Sequence, residues 1–374
     1  MGDDDQSIYS FRGSVPGIMR KMTDDFPDTE IVTLKINYRC PQEITDHAQR
    51  LISRNDLRFE KRQTCINNSL TGCIEYRCFS SASEEAKYCM DVIKERSVND
   101  NGSGTTTGTT GILYRISKSA DILEELMKRS QIKYRRKDSG SDLYDKEWVE
   151  DIFAYLKLAF TDSKEAWIRI LNRPWRALSR ESIEGEETVR NNILDYYEND
   201  KESIRTVLRL YKDIDFIKEL NCFSALNYIL KGAGMYGYIK ETYFKGRKEE
   251  LDESIGELIE RARVYDSIKE WMDAVEEGDV IEEGTDRDAD DISVEFMTIH
   301  SSKGLEFDNV ILIGLQEGMF PGKQCDTKEE LEEERRLFYV AMTRCRKHLW
   351  LLGRRKDDYG KRESRFLSEA GFII

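Results

Sequence analysis

Short apolar runs rich in β-branched residues recur at both ends of this chain and vanish from its middle, and no other feature limits the possible folds so strongly. They fall at Ile31–Leu34, Ile74–Phe79, Ile112–Tyr114, Val294–Thr298, Val310–Gly314 and Leu349–Leu352. A strand that is apolar along its whole length must be covered on both faces, and helical patterns lie between these runs. Together they predict a parallel sheet with helices packed against it. The middle is helical throughout. Trp148, Ile152, Leu156 and Ala159 share one face of Glu147–Phe160, while Ile255, Leu258, Ile259, Ala262, Tyr265, Trp271, Met272 and Val275 form a second, longer stripe. The expectation is an α/β domain interrupted by an all-helical insertion.

A chain of 374 residues is long enough for both parts. Lys137–Gly140 (KDSG) marks the opening of the helical part and an acidic run marks its close. Between Asp273 and Asp291 ten acids meet one base, Arg287, so −9 of the net charge of −14 lies there and −5 is spread over the rest. Such a run cannot bury enough apolar surface to order itself, which predicts a solvated linker. The remaining surface is close enough to neutral that an anionic partner is not excluded. Asn101–Gly111 (NGSGTTTGTTG) is a low-complexity loop leading into a strand. Eight cysteines without a CxxC pair, beside three histidines, offer no zinc spacing, and reduced thiols in a cytoplasmic protein are expected. No apolar run approaches the length of a membrane span, and three aspartates after Met1 do not suit a signal peptide. A soluble, globular chain is therefore expected.

Four segments carry polar groups in places where a purely structural role explains them poorly. GDDDQSIYSFRGS, Gly2–Ser14, joins an acidic turn to Gln6 and the cluster Tyr9, Phe11 and Arg12. It offers ligands for a phosphate or metal and aromatic faces for stacking. A calcium loop would need glycine at its sixth position, and a solvated tail is the plainer alternative. LKINYRCPQEI, Leu34–Ile44, ends a strand and starts a helix, placing Tyr38 and Arg39 at a strand's C-terminal edge, where open α/β sheets bind ligands. VEFMTIHSSKGLEFDNVILIG, Val294–Gly314, is strand, turn and strand, with Thr298, His300, Lys303 and Glu306 crowded into the turn. EEERRLFYVAMTRCRKHLWLL, Glu332–Leu352, is a helix with Leu337, Val340 and Ala341 facing the core, and it delivers Arg344 just before the next strand. Taken singly, Arg39 and Arg344 suit an ordinary surface and His300 a satisfied turn. Their joint occurrence in this order points to chemistry.

In that order the segments resemble the UvrD/Rep/PcrA-type superfamily 1 ATP-dependent DNA helicases, in their C-terminal portion. GDDDQSIYSFRG is similar to that family's motif III, NYRC to motif IV, TIHSSKGLEFDNV to motif V and EEERRLFYVAMTR to motif VI; ILYR and SRFL match as well. The resemblance implies a remnant of a first RecA-like domain at 1–26. It implies a second RecA-like domain, of P-loop NTPase type, at 27–137 and 292–374, with a helical inserted subdomain at 138–291 that ends in the acidic linker. It implies ATP with Mg2+ in the parent protein. Gln6 would sense the γ-phosphate, Arg39 and Arg344 would act as arginine fingers, and Tyr38 would stack on adenine. Gly304 and Glu306 would contact the nucleotide, Glu306 through the ribose. Tyr9, Phe11, Arg12, Thr298 and His300 would touch DNA. The implied partners are single-stranded DNA and single/double-strand junctions, with 3′ to 5′ movement in repair or replication.

The departures carry expectations of their own. The Walker A pattern GxxxxGK[ST] is absent, since GMFPGKQ at Gly318–Gln324 has the wrong spacing, and the DExx segment is absent too. The expectation is a chain that starts inside the first motor domain, depends on a missing N-terminal RecA-like domain, and alone neither hydrolyses ATP nor holds it tightly. Met1 to about Phe26 would then be loose or non-natively packed. LNRPWRALSRESIE, Leu171–Glu184, stands where relatives carry a glycine-containing RGIG-type hairpin. Ala177, Leu178 and Ser179 make close backbone approach to duplex phosphates harder, so a lid used for regulation or partner contact is an equal reading. No nuclease domain is expected after SRFL. A non-catalytic DNA- or partner-binding module is the alternative to a motor portion, and it would have no use for Gln6, Arg39 and Arg344.

Overall fold

The structure is a computed structural model that describes residues 2–9, 17–56, 58–66, 73–100, 108–138, 143–277, 294–323, 325–355 and 362–372. Phe11, Arg12, residues 101–107 of the Gly/Thr loop and residues 278–291 of the acidic run lie outside the described residues. The chain divides into two compact units, Met1–Gly140 with Gly284–Ile374, and Ser141–Glu283.

The first unit begins with α1 (Ile18–Asp25), β1 (Ile36–Asn37), α2 (Gln42–Ile52), β2 (Thr64–Cys65), β3 (Ile74–Phe79), α3 (Ala82–Asp100), β4 (Thr110–Tyr114), α4 (Asp121–Arg129) and β5 (Arg135–Arg136). The second unit is helical: α5 (Glu147–Leu158), α6 (Lys164–Ile170), α7 (Val189–Tyr196), α8 (Lys201–Ile217), α9 (Cys222–Asn227), α10 (Met235–Thr242), α11 (Lys248–Ala262) and α12 (Ile268–Glu277). The chain then re-enters the first unit with β6 (Val294–Thr298), β7 (Phe307–Leu315), α13 (Lys328–Met342), β8 (Cys345–Arg354) and α14 (Arg365–Ala370).

Six strands form one sheet in the order β3-β8-β7-β4-β6-β5, and every adjacent pair is parallel. β4 is buried along its whole length and β7 nearly so, as strands covered on both faces must be. Gly111 lets β7 come close, since a Cβ there would lie 2.7 Å from the Phe307 ring. Helices α13 and α14 are held near the sheet by Phe320, Phe338 and Phe366, all fully buried, with ring centroids 5.3–5.8 Å apart. Each such aromatic pair adds about 0.5–1.5 kcal/mol beyond burial of its area. In the helical unit, wholly buried Asp151 on α5 accepts Arg169 Nε of α6 at 2.7 Å and Tyr243 Oη at 2.8 Å, and pairs with Arg173.

Two expectations need correction. Ile31–Leu34 is not a strand; Ile31, Val32 and Leu34 are 56%, 77% and 69% exposed. A strand apolar on both faces needs neighbours in a sheet, and the one nearby strand, β2, pairs only with Ile36 and Asn37. The stripe from Ile255 to Val275 is not one helix but two, α11 and α12, broken between Arg263 and Ser267. Ser267 Oγ accepts the Glu270 N–H at 3.2 Å and so starts α12, while Val264 and Tyr265 stay buried through the corner.

Candidate nucleotide and nucleic-acid site

The site is assembled at the end of α13. A capping box opens this helix: Thr327 Oγ1 accepts the Glu330 N–H at 3.2 Å and Glu330 Oε2 accepts the Thr327 N–H at 2.9 Å. Fifteen residues later the helix stops at Met342, leaving its last carbonyls without helical partners. Two arginines take them. Arg344 Nε donates to Val340 O at 3.0 Å and Arg39 donates to Thr343 O at 3.1 Å. Cations at a helix C-terminus also interact favourably with the helix dipole.

Strand register completes the gathering. Phe307 of β7 pairs with Cys345 of β8, and the Phe307 N–H donates to Arg344 O at 2.9 Å, so Glu306 and Arg344 lie side by side. The cluster therefore forms where two parallel strands begin. Arg39 does follow a strand's C-terminal end, as expected, but that strand is the two-residue β1, outside the six-stranded sheet, and Arg39 meets the N-terminal ends of that sheet's strands.

Arg344 is 2% exposed. Its remaining donors reach Leu305 O (3.3 Å), Thr343 Oγ1 (3.3 Å) and Gln6 Oε1 (3.4 Å), all of them neutral oxygens. Burial, with the positive charge of Arg39 beside it, lowers its pKa. Arg39 forms an ion pair with Glu306, and its Nε is buried with no partner among the described residues. Glu306 also accepts Arg346 Nε at 2.9 Å and Nη2 at 2.6 Å. The hydrogen bond from Arg39, assisted by Arg346, holds the Glu306 carboxyl below its ordinary pKa. Two guanidinium groups thus hold one carboxylate, and the charge of Arg344 next to Arg39 is met by no carboxylate bond of its own, a surplus of positive charge suited to an anion. Tyr38 is 73% exposed beside them, its ring available for stacking. Gly304 has φ +90°, a conformation that costs other residues strain, and lies in open space. These residues fit a nucleotide triphosphate.

The acidic turn is tied down from the other side. Asp3, Asp4 and Asp5 hold carboxylate oxygens within 4.8 Å of one another, and the Lys61 ammonium lies among them, 2.6 Å from Asp3, 3.4 Å from Asp5 and paired with Asp4. Arg58 forks onto Asp5 at 3.0 and 2.9 Å, and Asp4 Oδ2 accepts the Phe59 N–H at 2.6 Å. Burial would raise the Asp4 pKa and is the largest single influence, but the bonds from Lys61 and the Phe59 N–H, with the charge of Lys61, together outweigh it and the pKa falls. Lys61 lies among the three carboxylates and Arg58 takes both oxygens of Asp5, so the positions a magnesium ion would need are occupied by cations of the chain and this cluster does not fit that ion. Nearby, buried Arg336 donates to Ser7 O at 2.9 Å and Ile8 is fully buried. The expectation of a loose start is therefore corrected for Gly2–Tyr9, which pack into the first unit.

A second face continues from Gln6. Lys303 Nζ donates to Gln6 O at 2.9 Å and lies 4.8 Å from the centre of the Tyr9 ring. Tyr9 Oη donates to His300 O at 3.1 Å, and the two rings are 6.1 Å apart and tilted by 41°. Thr298 Oγ1 ties the turn through Ser301 Oγ (2.9 Å) and the Ser301 N–H (3.3 Å). Tyr9, Thr298 and His300 are thus brought together, with Lys303 among them.

In the helical unit, the segment that departs from the RGIG-type pattern is firmly held. The Asn172 side chain donates to Leu178 O (2.6 Å) and accepts the Leu178 N–H (2.9 Å), Arg176 donates to Ile170 O (2.9 Å), and Ala177 takes a left-handed φ of 56° without being glycine. Trp175 is left 78% exposed on this loop. Arg58, Lys61, Arg336 and Arg346 were not singled out from the sequence. Each stands in a charged stretch with no pattern to separate it from a solvated face, and only the fold gives it a partner.

A wholly parallel six-stranded sheet, with arginines offered from a helix end to the starts of neighbouring strands, defines a RecA-like helicase domain. Residues 32–206 and 191–355 match the UvrD-like helicase C-terminal domain, and the chain belongs to that family. It is 29% identical over 403 residues to DNA helicase II of Escherichia coli, covering 99% of the chain and 54% of that relative. It is 30% identical to the ATP-dependent DNA helicase Rep of Buchnera aphidicola, covering 99% and 60%. Against the ATP-dependent DNA helicase PcrA of Staphylococcus epidermidis it is 29% identical, covering 99% and 53%. The chain spans little more than half the length of these curated relatives.

Proposed function

We propose that this chain is the C-terminal motor portion of an ATP-dependent DNA helicase that travels 3′ to 5′ on single-stranded DNA and unwinds duplexes in repair or replication. The observation that carries this reading is the gathering of Arg39 and Arg344 at the end of α13, Arg39 paired with Glu306 and Arg344 against Gln6, beside exposed Tyr38. Arg39 and Arg344 are the arginine fingers. Their charge, fixed before a substrate arrives, would stabilise the phosphoryl group as it transfers, an effect worth about 10³–10⁵ in rate. Arg344 already rests against Gln6, so the two would address the same phosphate. Tyr38 would stack on adenine, and Glu306 with Gly304 would face the ribose side. Mg2+ would supply charge neutralisation at the phosphates from ligands outside the described residues.

Tyr9, Thr298 and His300 form the single-strand face, where a base stacked on an aromatic ring contributes about 1–3 kcal/mol whatever its identity. A missing N-terminal RecA-like domain is the partner that completes the site, and the chain alone hydrolyses no ATP. The test is to mix the chain with the N-terminal half of its parent and measure DNA-stimulated ATP hydrolysis, with Arg344→Ala as control. Activity that appears only in the mixture and is lost in the variant supports this reading; hydrolysis by the chain alone, or activity that survives Arg344→Ala, overturns it.

A further inference from the structure

Glu306 is held by two arginines, one on each carboxylate oxygen. Oε1 meets Arg39, and Oε2 takes both Nε (2.9 Å) and Nη2 (2.6 Å) of Arg346. The two arginines are differently placed. Arg39 also bonds Thr343 O, next to Arg344, and keeps a buried Nε without a partner among the described residues. Arg346 is the second residue of β8, is 54% exposed, and among the described residues has no ion-pair partner besides Glu306. Its place is set by the sheet, because the pairing of Phe307 with Cys345 leaves Glu306, just before β7, diagonal to Arg346 on β8.

If Arg39 turns toward a phosphate, it leaves Glu306 Oε1. A glutamate with that one partner alone would then be free to rotate, and its rotamers would have to be frozen again on binding. Arg346 limits this: its two N–H groups converge on Oε2 and pin that oxygen, so the carboxylate stays in place with Oε1 facing the position Arg39 leaves. We propose that Arg346 is a positioning residue that holds Glu306 so that Oε1, once vacated by Arg39, accepts the ribose hydroxyls of ATP. Arg346 itself touches no part of the nucleotide. This rests on the nucleotide reading given above and adds to it the source of sugar selectivity.

The experiment is calorimetric binding of ATP and of 2′,3′-dideoxy-ATP, without DNA, to the full-length parent polypeptide and its Arg346→Ala variant. The native protein is expected to bind ATP about tenfold more tightly than the dideoxy compound, the ratio expected for loss of a hydrogen bond to a charged group. In the variant, ATP should weaken to the level of the dideoxy compound, whose own affinity should not move. A variant that keeps the ratio, or that weakens both ligands equally, overturns the proposal. A native protein that binds both equally also overturns it while leaving the nucleotide site standing, and one that binds neither overturns the nucleotide reading and this inference together.

Discussion

Arg344 is 2% exposed and each nitrogen of its guanidinium donates to the chain itself, whereas Tyr9, His300 and Lys303, just across Gln6, keep part of their surfaces in solvent. The first region is built like an interior. Its groups are oriented before any ligand arrives, and their charge is undiluted by water, as stabilisation of a brief transition state requires. The second is built like a grip, with an aromatic ring, a cation over it and a short polar turn, all suited to a polymer that must be held and released many times. Gln6 belongs to both, through its side chain to Arg344 and its carbonyl to Lys303.

The division can be attacked directly. Arg344→Ala should lower DNA-stimulated ATP hydrolysis of the completed motor by about 10³–10⁵ while leaving single-strand affinity unchanged. Equal losses in hydrolysis and in filter-binding affinity would merge the two regions into one. Lys61→Glu should be next in size. It reverses the cation among Asp3, Asp4 and Asp5, and breaking a largely buried pair of this kind should loosen Gly2–Tyr9 by about 3 kcal/mol, read as accelerated amide exchange there. If hydrolysis in the completed motor survives that loosening, Gln6 does not need its anchor. Tyr9→Ala and His300→Ala should each weaken single-strand binding by about 1–3 kcal/mol in a fluorescence titration, with hydrolysis at saturating DNA retained.

A smaller effect follows from pH. The Asp4 and Glu306 carboxyls have lowered pKa values in the folded chain, so their contribution to stability is complete above about pH 4 and is lost as pH falls through the lowered folded values. Thermal melts should therefore be flat from about pH 7 to 5 and fall below about pH 4, and Asp4→Asn should remove part of that fall. Trp175→Ala, at a side chain 78% exposed, should change stability by no more than about 0.5 kcal/mol.

Much of the fold could be read from periodicity alone, because burial on both faces leaves a mark in the sequence. Ile112–Tyr114, Val294–Thr298 and Val310–Gly314 lie within strands of the sheet, and Trp148, Ile152 and Leu156 line the buried face of α5. Ile31–Leu34 carries the same mark without the structure, since a strand's chemistry says only that it must be covered and not by what. The corner at Arg263–Ser267 was marked by Ser267 and Glu270, a helix-start pattern hidden inside a stripe whose apolar spacing continued across it. For the site, Arg39 and Arg344 were legible because their segments occur in order with the polar turn Thr298–Glu306, not from either residue alone. Lys61, Arg58 and Arg346 were not, because nothing in a local sequence shows which distant carboxylate a surface cation will meet.

The position of the helical unit has a consequence for how the chain is made. Tyr114 of β4 pairs with Thr298 of β6, roughly 180 residues later. At about 5–20 residues per second of synthesis, β4 emerges roughly ten seconds or more before either of its sheet neighbours exists. During that interval its apolar residues have no sheet to enter, while the helical unit, whose contacts are local, can fold around its own core. The slow step of biogenesis is thus expected to be the closing of the sheet behind a finished insertion, with β3, whose neighbour β8 comes later still, and β4 both waiting for their partners.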